Sequence, residues 1–302
     1  MTGATTGIGF HTAARLAEHY AHIYICARTA EKGDTAMSRM RSMYPQARLS
    51  VLIMDHTRLS TVVAAAKEFL SKEEQLHGLV NNAGIMATPF AMTNDGYEEQ
   101  WQTNYLAHWV LTRHLLPIMH ATAKRLDMLP GSVRIVNLAS SGHYSAPKGG
   151  INFPDTALKD ASGMTRYGQS KLANVLHMKE LHKLYGPRPL SSSGTDGEIW
   201  VSCVHPGLVK SDLGGKAQLP SMMKALLAPY RWVGGELDAD KGAWTSLFCV
   251  AGAQMKREDC GKYWQRIADP NGWQSGCAKD LELAEKLEKW TLAEMRRGGW
   301  VE

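Results

Sequence analysis

The sequence predicts an open, doubly wound α/β sheet of parallel strands, and three observations point there. Short apolar runs alternate with longer helix-patterned stretches through the first two-thirds of the 302 residues. Those runs are apolar on both faces, as strands covered by helices on each side must be. A glycine-rich turn, Gly3-Ala4-Thr5-Thr6-Gly7-Ile8-Gly9, leads straight into the first helical pattern.

Each element has its own signal. Phe10, Ala13, Ala14 and Ala17 recur at i, i+3, i+4 and i+7, the apolar stripe of a helix. Ala21–Ala27 (AHIYICA) is rich in β-formers and reads as a strand, as does Leu49–Met54 (LSVLIM). Val62, Ala66, Phe69 and Leu70 mark the next helix, and Gly78–Val80 forms a short strand leading into Asn81. Val133–Leu138 and Ile199–Val204 supply two more strands. His143–Thr165 and Pro187–Gly197 are dense in Pro, Gly and Ser and read as loops, because the strand–helix rhythm resumes after each. Beyond Gly207 the pattern weakens, until Leu281–Met295 forms a charged amphipathic helix. With no internal repeat or linker, residues 1–302 read as a single domain.

Composition narrows the function classes. A net charge of +5 without any block of like charges argues against a nucleic-acid footprint. No apolar run approaches the roughly 20 residues of a membrane-spanning helix. Five cysteines, an odd count with no C-x-x-C pair, argue against a disulfide framework or zinc knuckle and for reduced thiols in a cytoplasmic setting. Serine-hydrolase, metalloprotease and P-loop signatures are absent, the histidines are scattered, and no metal set is expected.

The glycine turn lets the backbone approach a pyrophosphate and leaves its charge at a helix N-terminus, where free N–H groups and the macrodipole favour an anion. The end of the second strand is where a dinucleotide site reads its ribose. An NAD-selective site would carry an acid there. The sequence has Cys26-Ala27-Arg28 instead, with no Asp or Glu from Ile23 through Thr29. A guanidinium suits bidentate phosphate recognition, so Arg28 points to the 2′-phosphate of NADP(H). The competing reading of Arg28 is an ordinary surface arginine.

Tyr167 and Lys171 stand at i, i+4 on one helix face. A phenol of pKa about 10 needs roughly 3 units of depression for acid/base work at neutral pH. A neighbouring ammonium and a cationic nicotinamide act in that direction. Alone, such a pair is also common on solvated helices.

Taken together, several motifs carry more. In order they are Thr2 to Gly9, Asn81-Asn82-Ala83-Gly84, Asn104, Arg134 to Ser140 (RIVNLAS), Tyr167 to Lys171, and His205-Pro206-Gly207. The chain resembles the short-chain dehydrogenase/reductase superfamily in its one-domain, Rossmann-like TGxxxGxG form, over Thr2 to about Asp212. The stretches RYGQSKLANVL and ASSGH resemble the retinol-dehydrogenase-like branch and its fungal relatives, for which secondary metabolism is one setting.

The resemblance implies roles residue by residue. Tyr167 matches the acid/base, and Lys171 the residue that holds the ribose hydroxyls and lowers the tyrosine pKa. Ser140 matches the serine that bonds the substrate oxygen; Ser141 is the rival, and aligning Asn137 and His143 favours Ser140. Asn104 matches the asparagine of a proton relay. Gly3, Thr5, Thr6, Gly7, Ile8 and Gly9 are expected around the diphosphate, and Asp55 beside the adenine. Asn82, Ala83 and Gly84 fall near the adenosine ribose, and Pro206, Gly207, Val209 and Ser211 over the nicotinamide amide. The implied activity is NADP(H)-dependent interconversion of a carbonyl and an alcohol on a small molecule, and a homodimer is compatible with it. A substrate lid is expected over about 208–240. Its residues Leu219, Met222, Met223, Leu226, Leu227, Tyr230 and Trp232 suit either a lipophilic pocket or a core-facing helix.

One departure stands against an active enzyme. Relatives carry about six to eight β-forming residues before the Thr-Gly turn, forming the central strand, whereas only Met1 stands there in this sequence. Two unpaired strand edges are expected, comparable in cost to a typical folding free energy of about 5 to 15 kcal/mol. The expectation is that an upstream strand completes the sheet. The rival is a truncated or non-catalytic dehydrogenase-fold protein with a binding or regulatory role.

Overall fold

The computed structural model describes residues 1–19, 21–125, 129–188, 197–210 and 235–302. Its helices are α1 (Gly7–Glu18), α2 (Ala30–Met43), α3 (Leu59–Lys72), α4 (Glu99–Trp101), α5 (Ala107–Ala123), α6 (Gly163–Tyr185), α7 (Ala239–Ala251), α8 (Gly276–Lys279) and α9 (Leu281–Arg297). The strands are β1 (His22–Ala27), β2 (Arg48–Ile53), β3 (Gly78–Asn81), β4 (Arg134–Leu138), β5 (Trp200–His205) and β6 (Tyr263–Gln265). The five expected strands are present, each displaced by a residue at most at either end. The short β6 was not anticipated.

All pairings between these strands are parallel, in two runs: β1 with β2, and β3-β4-β5-β6. The fold is therefore the expected α/β class. Register places Val80, Val136 and Ser202 side by side, and Asn81, Asn137, Cys203 and Tyr263 one step further along. The edges of β1 and β3 face each other across the seam expected from the sequence, and Met1 and Thr2 run between them. The Met1 ammonium donates to Tyr24 O (2.7 Å), Cys26 N–H donates to Met1 O (3.0 Å), and Thr2 N–H donates to Val80 O (3.0 Å).

Helices α3, α5 and α6 cover one face. Trp101, Trp109, Tyr105, Leu172 and Val175 fill the larger core there, and α9 packs outside α5 and α6. Helices α1, α2 and α7 cover the other face, where Phe10, Ala13, Ala14 and Ala17 of the predicted stripe are all buried against Ile25 and Met40. An open α/β sheet binds its ligands at the C-terminal ends of its strands, where Arg28, Asn82, Ala139 and Pro206 follow β1, β3, β4 and β5. Most of the expected lid, including its apolar residues from Leu219 to Trp232, lies outside the described residues, as does Ser211.

Candidate active site

The glycine turn is set by its own sterics. Gly3 and Gly7 adopt φ of +61° and +57°, a conformation that disfavours a Cβ. A Cβ on Gly9 would stand 2.1 Å from Gly3 O, so the third glycine lets the helix close on the turn. Thr6, the N-cap of α1, makes no side-chain bond to the helix, and the first turn carries no acid. Its N–H groups are left for an anion, which fits a dinucleotide diphosphate. Asn82 and Ala83 brace this turn. Asn82 Nδ2 donates to Thr2 O (3.0 Å) and Gly3 O (3.1 Å), and Thr2 Oγ1 accepts from Asn82 N–H and Ala83 N–H.

The Met1–Cys26 bond brings the end of β1 beside this turn. Arg28 follows β1 with its side chain exposed, and no carboxylate stands from Ile23 to Thr29. The arrangement fits a phosphorylated ribose. Asp55, after β2, holds a tight turn by accepting from Thr57 N–H (3.0 Å) and Thr57 Oγ1 (2.9 Å).

The reactive cluster sits where β4 ends and α6 begins. Ser140 caps the short 3₁₀ turn Ser141–Ser145 by accepting from Gly142 N–H (3.0 Å). A Cβ on Gly142 would stand 2.5 Å from the Tyr167 ring and 3.3 Å from Ser140 Oγ, so the missing side chain lets hydroxyl and phenol approach. Ser140 Oγ and the Tyr167 ring thus stand against the same point beside Gly142, and this proximity favours Ser140 over Ser141. Lys171 Nζ lies 5.9 Å from the centre of the Tyr167 ring and donates to Leu138 O (2.8 Å). Asn104 Oδ1 accepts from Ile85 N–H (2.8 Å), and Asn104 Nδ2 donates to Ile85 O and Ser170 Oγ (both 2.9 Å). Asn104 Oδ1 and Lys171 Nζ stand 3.2 and 3.4 Å from where a Gly84 Cβ would lie, so Gly84 makes room for both. The four side chains Ser140, Tyr167, Lys171 and Asn104 thus gather at one end of the sheet.

Burial sets the electrostatics of the two ionisable groups: it raises the Tyr167 phenol to about 12, opposed by the neighbouring Ser140 hydroxyl, and lowers Lys171 to about 8. The phenol therefore keeps its proton at neutral pH.

The Pro206-Gly207 loop follows β5, with Gly207 at φ +87°. Leu208 O accepts from Leu237 N–H and Lys210 N–H donates to Leu237 O (both 2.9 Å), pinning the segment that carries Val209. The Val209 and Ile8 side chains both approach Gly242 of α7, so the loop closes over the glycine turn.

Two features near the cluster were not anticipated. Asn104 lies in a π-type turn, Gln102–Leu106, spliced onto α5. Glu98 and Arg166, 1% and 5% exposed, form an ion pair at 3.2 Å immediately before the helix turn of Tyr167. Arg166 is adjacent to Tyr167 in the sequence, and that adjacency was the available signal.

Comparisons with known proteins agree with this geometry. The family described as short chain dehydrogenase matches residues 1–220. The chain is 46% identical over 300 residues to the short-chain dehydrogenase/reductase drtF of Aspergillus calidoustus, covering 98% of this chain and 93% of that one. It is 35% identical over 294 residues to human retinol dehydrogenase 12, covering 97% and 84%. Among solved structures, an uncharacterized protein from Mycobacterium paratuberculosis superposes with a TM-score of 0.70 at 27% identity, covering 98% of this chain and 91% of that one. The NADPH-bound carbonyl reductase from chicken fatty liver shares the fold, with a TM-score of 0.61 at 21% identity over 90% and 97% of the two chains. Family match, relatives and fold coincide: the chain belongs to the short-chain dehydrogenase/reductase family of oxidoreductases, in its retinol-dehydrogenase-like branch.

Proposed function

We propose that the protein interconverts a carbonyl and an alcohol on a small, lipophilic molecule, with NADP(H) as the preferred cofactor. The observation that carries this reading is the gathering of the Ser140 hydroxyl and the Tyr167 ring at Gly142, with Lys171 beside the ring and Asn104 and Lys171 together at Gly84. A bound nicotinamide supplies the hydride. Ser140 and Tyr167 hold the substrate oxygen and polarise it, and Tyr167 gives its proton as negative charge develops there. The phenol raised to about 12 suits the reductive direction, because it is protonated when the oxygen needs a proton. Lys171 holds the cofactor ribose, and a relay through Lys171, water and Asn104 restores the proton.

The NADP(H) preference is supported by Arg28 and the absence of an acid at the end of β1. A lipophilic substrate is supported by the apolar residues of the expected lid and by the human relative named for retinol. Five unbridged cysteines favour a reducing compartment such as the cytoplasm.

The test is NADPH oxidation with a panel of lipophilic ketones and aldehydes. Tyr167→Phe is expected to lower kcat by at least about a hundredfold, and Arg28→Ala to raise KM for NADPH while leaving KM for NADH unchanged. Full activity of Tyr167→Phe would refute the mechanism, and equal KM shifts for both cofactors would refute the role of Arg28.

A further inference from the structure

Behind the glycine turn, His108 is 3% exposed and joins two motifs that lie far apart in the chain. Its Nε2 is 2.8 Å from Thr2 Oγ1, and its Nδ1 is 3.0 Å from the Asn104 carbonyl oxygen. Donors and acceptors can be counted from either end. A carbonyl oxygen only accepts, so Nδ1 carries a proton and donates to Asn104 O. Thr2 Oγ1 already accepts from Asn82 N–H (2.8 Å) and Ala83 N–H (2.9 Å). With both lone pairs used, its own proton goes to His108 Nε2. The two ends agree on one neutral tautomer, protonated at Nδ1.

The surroundings favour the same state. Burial lowers the His108 pKa well below the usual value, and every titratable neighbour acts in the same direction. These are His56, whose ring lies edge-on at 4.9 Å, and Lys171 and His177 from α6. At the other end of the chain of bonds, the Asn104 side chain is fully engaged by Ile85 and Ser170. What remains adjustable at Asn104 is its main-chain carbonyl, which sits inside the π-type turn, where Ala107 N–H donates five residues back to Gln102 O. Such turns recur at functional sites because they release backbone groups from the regular ladder.

We propose that His108 is a positioning residue that couples the nucleotide turn to Asn104. Thr2 holds one imidazole nitrogen, and the other aims the Asn104 carbonyl. The kinetic consequence rests on the relay proposed above; the chain of hydrogen bonds does not.

Two substitutions separate the halves of the coupling. Asn at position 108 can place a donor where Nδ1 stands but cannot reach Thr2, whereas Gln can reach Thr2 but leaves Nδ1 unreplaced. His108→Gln is expected to keep the NADPH Kd, measured by fluorescence without substrate, within about twofold and to lower kcat about tenfold. His108→Asn is expected to keep kcat within about threefold and to weaken NADPH binding about fivefold. Long-range ¹H–¹⁵N spectra of the cofactor-free protein, with His108→Gln for assignment, should show Nδ1 protonated and Nε2 bare. A proton on Nε2, or equal effects of both substitutions on Kd and kcat, overturns the proposal. Retained activity of Tyr167→Phe would remove the catalytic reading instead, leaving the tautomer and the NADPH Kd to decide the coupling.

Discussion

Lys171 carries a cost that follows from its position. Burial lowers it from 10.5 to about 8, so below pH 8 the folded protein holds a charge that the unfolded chain solvates better. The sign follows from proton counts. Between about pH 8 and 10.5 the unfolded state binds more protons, so stability rises with pH across that window and the penalty is fully present below it. It is on the order of 3 kcal/mol. Leu138 O, which accepts from Lys171, also accepts from Asn174 Nδ2 (3.1 Å), so removing the ammonium orphans no acceptor. Lys171→Met should therefore raise the urea midpoint at pH 7 while activity is lost, and the gain should shrink towards pH 10.5. A lower midpoint at pH 7 would refute this account. The identities of Tyr167, Lys171, Ser140 and Asn104 were legible from spacing and resemblance. The ionisation of Tyr167 and Lys171 was not, because desolvation depends on what the fold packs around them.

At the scale of elements, α6 begins against a buried ion pair. The Glu98 carboxylate caps α4 by accepting from Trp101 N–H (2.7 Å) and faces Arg166 Nε at 3.2 Å. Arg166 also donates to Ala161 O (2.5 Å) and Thr88 O (3.2 Å), tying two loops to the helix turn that carries Tyr167. Burial raises the Glu98 pKa, which marks the cost of keeping this charge away from water. Glu98→Ala leaves Arg166 as an uncompensated buried cation and should cost about 3 to 5 kcal/mol in chemical denaturation. Adding Arg166→Met should recover part of that loss; additive losses would show that the pair is not coupled. The strands were legible because each buried run is apolar and bounded by turn residues. The π-type turn at Asn104 was not, since its extra residue changes no sequence period. Nor was β6, whose three residues are too few to establish one.

Over the whole molecule, α9 joins the end of the chain to the site's scaffold. Ala284, Leu287, Thr291 and Met295 form its buried stripe. Glu288 accepts from Trp109 Nε1 (2.8 Å) and faces His177 Nδ1 at 3.4 Å, while Thr291 hydrogen-bonds Tyr105 (2.7 Å), the neighbour of Asn104. Leu287→Ala should cost about 2 to 4 kcal/mol in urea unfolding; a change below about 0.5 kcal/mol would show that the helix docks only loosely. The sequence by itself determined the α/β class, the parallel strands, the glycine turn, the family motifs and the start of this last helix, which runs two residues past its expected end. Periodicity and turn chemistry are local properties, and motif spacing survives without knowledge of contacts. Only the tertiary structure decided that Met1 and Thr2 bridge the seam between the two runs of strands. It alone decided that Tyr167 is buried and its phenol raised, and that His108 stands between Thr2 and Asn104. Each of these depends on groups distant in sequence meeting in a desolvated interior, where the balance of burial and hydrogen bonding is set by the neighbours the fold supplies.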